Sequence, residues 1–259
     1  MSLSNRQKFI ALKTIVIKEI LRFSRIWIQT VLPPVITTAL YFIIFGNLIG
    51  ARIGEMDGQP YVDFILPGLI MMAVITNSYS NVVSSFFSSK FQRHIEEMLV
   101  SPMPGSLIVL GFVAGGVTRG LVVGAAVTLA SLLFTTPQIH NPAVLISIVV
   151  LTSALFSLGG LINGIYARSF DDISIIPTFV LTPLTYLGGV FYSIHLLPEV
   201  WQTASLANPI LYMINTFRYG FLGISDIDLW TSYAIVVGFI AILYWLSLRL
   251  LRTGRGIRS

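Results

Sequence analysis

Long apolar runs without charge, each closed by charged or turn-forming residues, set the pattern of this chain. No charge occurs between Arg25 and Arg52, and residues 28–49 predict a first membrane-spanning helix. Pro33 and Pro34 are placed in its first turns, where missing donors cost least. Runs over 64–87, 107–134, 143–166, 173–192 and 229–248 predict five more spans, each near the roughly 20 residues that cross a bilayer. The expected fold is an all-α membrane protein with six transmembrane helices in one transmembrane domain, 1–259. Residues 194–223 break the pattern. Pro198 and Pro209 divide them into two pieces too short to cross, which also carry His195, Glu199 and Arg218. They predict a re-entrant hairpin on the extracytoplasmic side, before span six.

Ahead of the first span, residues 6–27 alternate basic and apolar positions. Phe9, Leu12, Val16, Ile20, Phe23 and Trp27 form one stripe at helical spacing, with Thr14, Lys18, Arg22 and Arg25 opposite. That is the pattern of an amphipathic helix on an anionic leaflet, with Trp27 near the headgroups. Interleaved charges and the lack of a small-residue cleavage site speak against a signal peptide.

Between spans two and three lies a charged island, 88–104, reading SSKFQRHIEEMLVSPMP. As a helix it puts Phe91, Ile95, Met98 and Leu99 on one face, with Arg93, Glu96 and Glu97 off it. Ser101-Pro102 ends it. A hairpin between spans needs only a few residues, so two readings stand: a solvated connection, or a surface helix on which something docks.

Composition narrows the class. Hydrophobic residues make up 55% and charged residues 10% of 259 positions, with a mean hydropathy of +0.84; a soluble domain carries roughly a quarter charged residues. No stretch remains for a soluble domain. The absence of cysteine excludes disulfides and thiolate metal sites. The net charge of +5 sits at the membrane edges, which disfavours nucleic acid as a partner. Thirteen basic residues fall on one side of the predicted spans and two, Arg52 and Arg218, on the other. This places both termini and the island in the cytoplasm. A hairpin that dips without crossing keeps the arginine tail (Arg249, Arg252, Arg255, Arg258) on that side.

Catalytic chemistry is not evident. Nothing matches a phosphate-binding loop or a dinucleotide fingerprint. His94, His140 and His195 fall in separate places, so no metal site is expected, and no histidine lies within a span to serve a serine nucleophile. Arg119 is the one ionisable residue deep in a span, at about 2.5–3.5 kcal/mol if central. It reads either as structural near the inner interface or as lining a wet path. The run from Asn77 through Tyr79, Asn81 and Ser84 to Ser85 likewise reads as pathway lining or as interhelical hydrogen bonding. Gly111, Gly115, Gly116, Gly120 and Gly124 are spaced for close helix packing, as are Gly160 and Gly164. Tyr186 and its aromatic neighbours suit an outer belt or a substrate contact.

Two stretches resemble a known family. FQRHIEEMLVSPMP is similar to the coupling helix of type-2 ABC exporter permeases (the ABC-2 membrane family), with glutamate and leucine ahead of Ser-Pro. LPEVWQTASLANPILYMINTFRYGFLG is similar to that family's outer re-entrant hairpin, at Pro198, Asn208, Pro209 and Arg218. The resemblance extends over nearly the whole chain. It implies a bacterial inner-membrane permease that exports a substrate, here expected to be amphipathic. It further implies a homodimer above two ABC ATPase subunits, with ATP and magnesium bound by those partners and no cofactor in this chain. Arg93, His94, Glu96, Glu97, Leu99, Ser101 and Pro102 would then contact the ATPase; Asn77, Tyr79, Asn81, Ser84, Arg119 and Tyr186 are candidate pathway residues. A secondary transporter without an ATPase is the alternative, disfavoured because its coupling usually needs intramembrane acids.

Overall fold

The computed structural model describes residues 3–256; Arg258 of the basic tail lies outside them. The fold is almost entirely helical. Helix α1 (Asn5–Arg25) starts at a capping box, with Ser4 Oγ accepting from Gln7 N and Gln7 Oε1 from Ser4 N. After a bend at Ile26, α2 runs Trp27–Ile53, its stretch Phe42–Ile49 widened to π geometry. A two-strand antiparallel hairpin, β1 (Glu55–Met56) and β2 (Gln59–Pro60), turns at Asp57-Gly58, both with positive φ. Then come α3 (Tyr61–Phe91), the short α4 (His94–Val100), α5 (Gly105–Ser131) and α6 (Pro142–Tyr166). Helix α7 (Asp172–Leu187) has a π stretch at Pro177–Leu181. A 3₁₀ turn (Ile194–Leu196), α8 (Glu199–Leu206), α9 (Pro209–Leu222) and α10 (Leu229–Thr253) complete the chain.

Five of these helices, α2, α3, α5, α6 and α10, are long and apolar enough to cross a membrane. The molecule is an all-α, multi-pass membrane protein. Helix α3 is its axis: it packs on α5, α6 and α9, and Phe64, Ile65, Met71, Ile75, Val82 and Phe86 are buried along it. Glycine lets the neighbours come close. A β-carbon on Gly116 would overlap Ser157 Oγ, and one on Gly120 would overlap Ser78 Oγ, so α5 seats against α3 and α6 through small residues. Helices α2 and α10 instead leave Ile36, Leu40, Ile242 and Trp245 exposed, an outer surface suited to lipid.

Several expectations shift. Of the apolar stripe expected on α1, Phe9 and Trp27 are 67% and 62% exposed and Phe23 is buried, and Ile15 and Glu19, outside the stripe, are buried beside it. The reason is α5, whose Gly111 and Gly115 receive the side chains of Ile15 and Glu19. Pro33 and Pro34 lie inside α2, beyond its first turn. Phe91 does not join the apolar face of the island helix, because α3 continues through it, and its ring meets Phe170 at 5.5 Å. The helix expected over 173–192 closes at Leu187, where Gly188 ends it and Gly189 takes φ 78°. Residues 188–193 are irregular, so Tyr192 follows the helix; its hydroxyl donates to Tyr186 O at 3.1 Å.

Candidate functional site: the short helix α4, the buried charges and the groove beside α3

The island splits at Arg93. Lys90 lies in the last turn of α3, and its ammonium donates to Ile165 O and Ala167 O, both at 2.7 Å, at the C-terminal end of α6. A cation there satisfies carbonyls that the helix leaves open. Arg93 adopts a left-handed backbone (φ 61°), turning the chain sharply into α4. The seven residues of α4 rest on Ile95, which is fully buried among Phe86, Ile108, Phe112 and Leu250. Met98 and Leu99 pack partly beside it. Ser101 closes the helix, its Oγ donating to Met98 O at 2.6 Å and its N–H to Glu97 O. Arg93, His94, Glu96, Glu97 and Pro102 are exposed, and Val100 is 88% exposed. The result is a small platform with charges and one bare valine facing outward.

The polar run of α3 divides between two environments. Its inward residues bond to other helices. Arg22 Nη2 donates to Asn81 O and Oδ1, both at 2.7 Å, and Ser85 Oγ donates to Glu19 Oε1 at 2.7 Å. Lys18 Nζ donates to Ser89 Oγ at 3.4 Å. Glu19 is fully buried, with Arg22 Nε 3.4 Å from its second oxygen. Sequence reasoning passed over Glu19. Its signal was an acid on the Ile15–Phe23 stripe, three residues before an arginine. Arg119 Nη2 donates to Asn77 Oδ1 at 3.1 Å, so the arginine and the amide form a pair across α5 and α3. Tyr79 is buried against α6, its carbonyl close to Gly160.

The second environment is the open side of α3. Met72, Thr76, Ser80 and Ser84, spaced four apart, are the half-buried or exposed positions within residues 64–87 of this helix, and Ser84 Oγ accepts from Arg22 Nη1 at 3.5 Å. Beside them lies a cavity of about 260 Å³ between α2 and α3, lined by Gln29, Pro33, Thr37, Thr76 and Asn77. Pro33 and Pro34 deprive the Gln29 and Thr30 carbonyls of their intrahelical donors, and both prolines and Gln29 line this cavity. Tyr186 is further along, 40% exposed, its hydroxyl 2.9 Å from that of Tyr41.

At the opposite end, Asn208 caps α9 through Ile210 N (3.0 Å) and ties it to α7 by donating to Leu184 O at 2.6 Å, with Pro209 in the first turn. Pro198 precedes α8. Arg218 on α9 is fully buried: Nη2 donates to Gly189 O at 2.6 Å, the guanidinium lies 3.9 Å over the Phe64 ring, and Asp226 is 4.0 Å away. Among the described residues no group of three potential ligands could hold a metal ion.

Residues 10–222 match the family described as ABC-2 type transporter. The chain belongs to the ABC-2 type transporter family. The inner membrane transport permease YadH of Escherichia coli K12 is 60% identical over 251 residues, covering 97% of this chain and 98% of that protein. Nodulation protein J of Rhizobium leguminosarum bv. trifolii is 26% identical over 214 residues, 82% of each chain. Nodulation protein J of Sinorhizobium fredii is 26% identical over 182 residues. The ABC-2 chain is thus the permease subunit of an ABC exporter in the bacterial inner membrane, and its family membership implies an ABC ATPase partner.

Proposed function

We propose that the chain works as a homodimer with two separate ATPase subunits, which bind ATP and magnesium and leave this chain without catalysis or cofactor. Both termini lie in the cytoplasm, α1 lies at the cytoplasmic interface, α7 completes six spans, and α8–α9 form the extracytoplasmic re-entrant hairpin. Helix α4 is the coupling helix. The observation that carries this is its construction: a seven-residue helix pinned by Ile95 at the end of the central helix, with Arg93, His94, Glu96, Glu97 and Val100 turned outward. A push on that platform passes directly into α3. The open stripe of Thr76, Ser80 and Ser84, with the groove at Gln29 and Thr37, then lines the path that two copies enclose. Its mixture of small hydroxyls, an amide and apolar walls suits an amphipathic substrate.

Affinity purification from native membranes, with crosslinking before extraction, tests the reading. A stoichiometric nucleotide-binding subunit, recovered in reduced amount when Glu96 and Glu97 are changed to lysine, is the expected result. No such subunit after crosslinking would favour a transporter without an ATPase.

A further inference from the structure

The groove along α1 is not used by the transport reading. It has a volume of about 660 Å³ and ends at the bend into α2; all of it lies against one strip of α1, with Lys18, Arg22 and Arg25 along the middle, Ile17 and Leu21 on one flank and Ile26 on the other. The three cations sit at positions i, i+4 and i+7, on one helical face. Two of them are held in place. Lys18 Nζ bonds to Ser89 Oγ and lies 5.7 Å from the Phe112 ring centre; Arg22 is fixed on Asn81. Glu19 offsets Arg22 alone, and among the described residues Lys18 and Arg25 have no acidic partner. The apolar flanks are bare: Ile17, Leu21 and Ile26 are 43%, 51% and 41% exposed.

A soluble anion would use the cations and leave the apolar flanks wet. A lipid uses both, its phosphate on the basic heads and its chains along the isoleucine and leucine side. We propose that this groove binds an anionic glycerophospholipid of the cytoplasmic leaflet, with its phosphate on Lys18 and Arg25 and its acyl chains along Ile17 and Leu21. The site rests on the placement of α1 at the cytoplasmic interface given above. Because Lys18 and Arg22 also bond to α3, an occupied groove stiffens the join between α1 and the central helix.

Trp27, 62% exposed beside the groove, supplies a reporter. The full chain, with Trp201, Trp230 and Trp245 changed to phenylalanine, is reconstituted in nanodiscs of phosphatidylglycerol and phosphatidylcholine, one or the other brominated on its acyl chains. Brominated phosphatidylglycerol is expected to quench Trp27 about fivefold or more above brominated phosphatidylcholine, since a juxtamembrane cation favours anionic lipid by about fivefold. K18Q/R25Q removes the preference; K8Q/K13Q, which loses the same charge outside the groove, keeps it. Equal quenching by both lipids in the parent chain overturns the site while leaving α1 at the membrane. Equal loss in the two double variants also overturns it, as attraction to the helix at large. Quenching by neither lipid places Trp27 off the bilayer and overturns the placement together with the site.

Discussion

Among the described residues Arg218 is the largest fully buried side chain. A fully buried guanidinium between Phe64, Gly189 O and Asp226 holds α9 to α3 and to the irregular segment after α7. Removing one partner of a buried charged arrangement costs about 3–5 kcal/mol, so Arg218→Met is expected to lower the thermal midpoint in detergent sharply. Arg218→Lys should fall between, because an ammonium keeps the charge but not the planar stacking and forked donors. The glycines of α5 make a second residue-level case. Gly116→Ala places a methyl on Ser157 Oγ, which should cost about 1–3 kcal/mol. Ser157→Gly in the same chain should recover part of that, and a double-mutant cycle in thermal stability measures the coupling.

Elements show why some of this was readable in sequence and some not. The uncharged runs gave α2, α3, α5, α6 and α10, because a span must be apolar for about 20 residues whatever it packs against. The glycine spacing of α5 likewise announced close packing. The packing side of α1 was not legible, since the stripe was drawn for a lipid surface and it is two glycines on another helix that choose Ile15 and Glu19. The end of α3 was misplaced for a related reason: Lys90 looks like a free charge, yet it closes the end of α6. The Asp57-Gly58 hairpin had a short-range signal that went unread between two spans. Lys90 therefore belongs to the seating of α4 and not to its exposed contact surface. Lys90→Met is expected to leave insertion intact, loosen the end of α3 and reduce the ATP turnover stimulated by substrate several-fold, measured on the purified complex. Glu96→Lys with Glu97→Lys should reduce it further without changing the thermal midpoint, since both residues are exposed. A change in stability equal to that of Lys90→Met would remove the distinction between seating and contact.

On the scale of the whole molecule, the central helix faces two ways, and the difference decides where a substrate can pass. Ser78, Asn81 and Ser85 are buried toward the other helices of the same chain, so opening a path there would break the bonds to Arg22 and Glu19 and the close contacts of Gly116 and Gly120. Thr76 lines the groove beside α2 and half-buried Ser80 follows it one turn on; in the proposed homodimer two copies would part there without disturbing either bundle. The chain has no cysteine, so single cysteines can be introduced without altering the background. Thr76→Cys and Ser80→Cys should react with a membrane-impermeant, charged thiol reagent in the assembled transporter, at rates that change by several-fold between the nucleotide-free and ATP-bound states. Ser78→Cys and Ser85→Cys should remain inert in both. Reaction at the second pair in preference to the first would move the path inside the bundle and make the polar network around Glu19, Arg22 and Arg119 its lining.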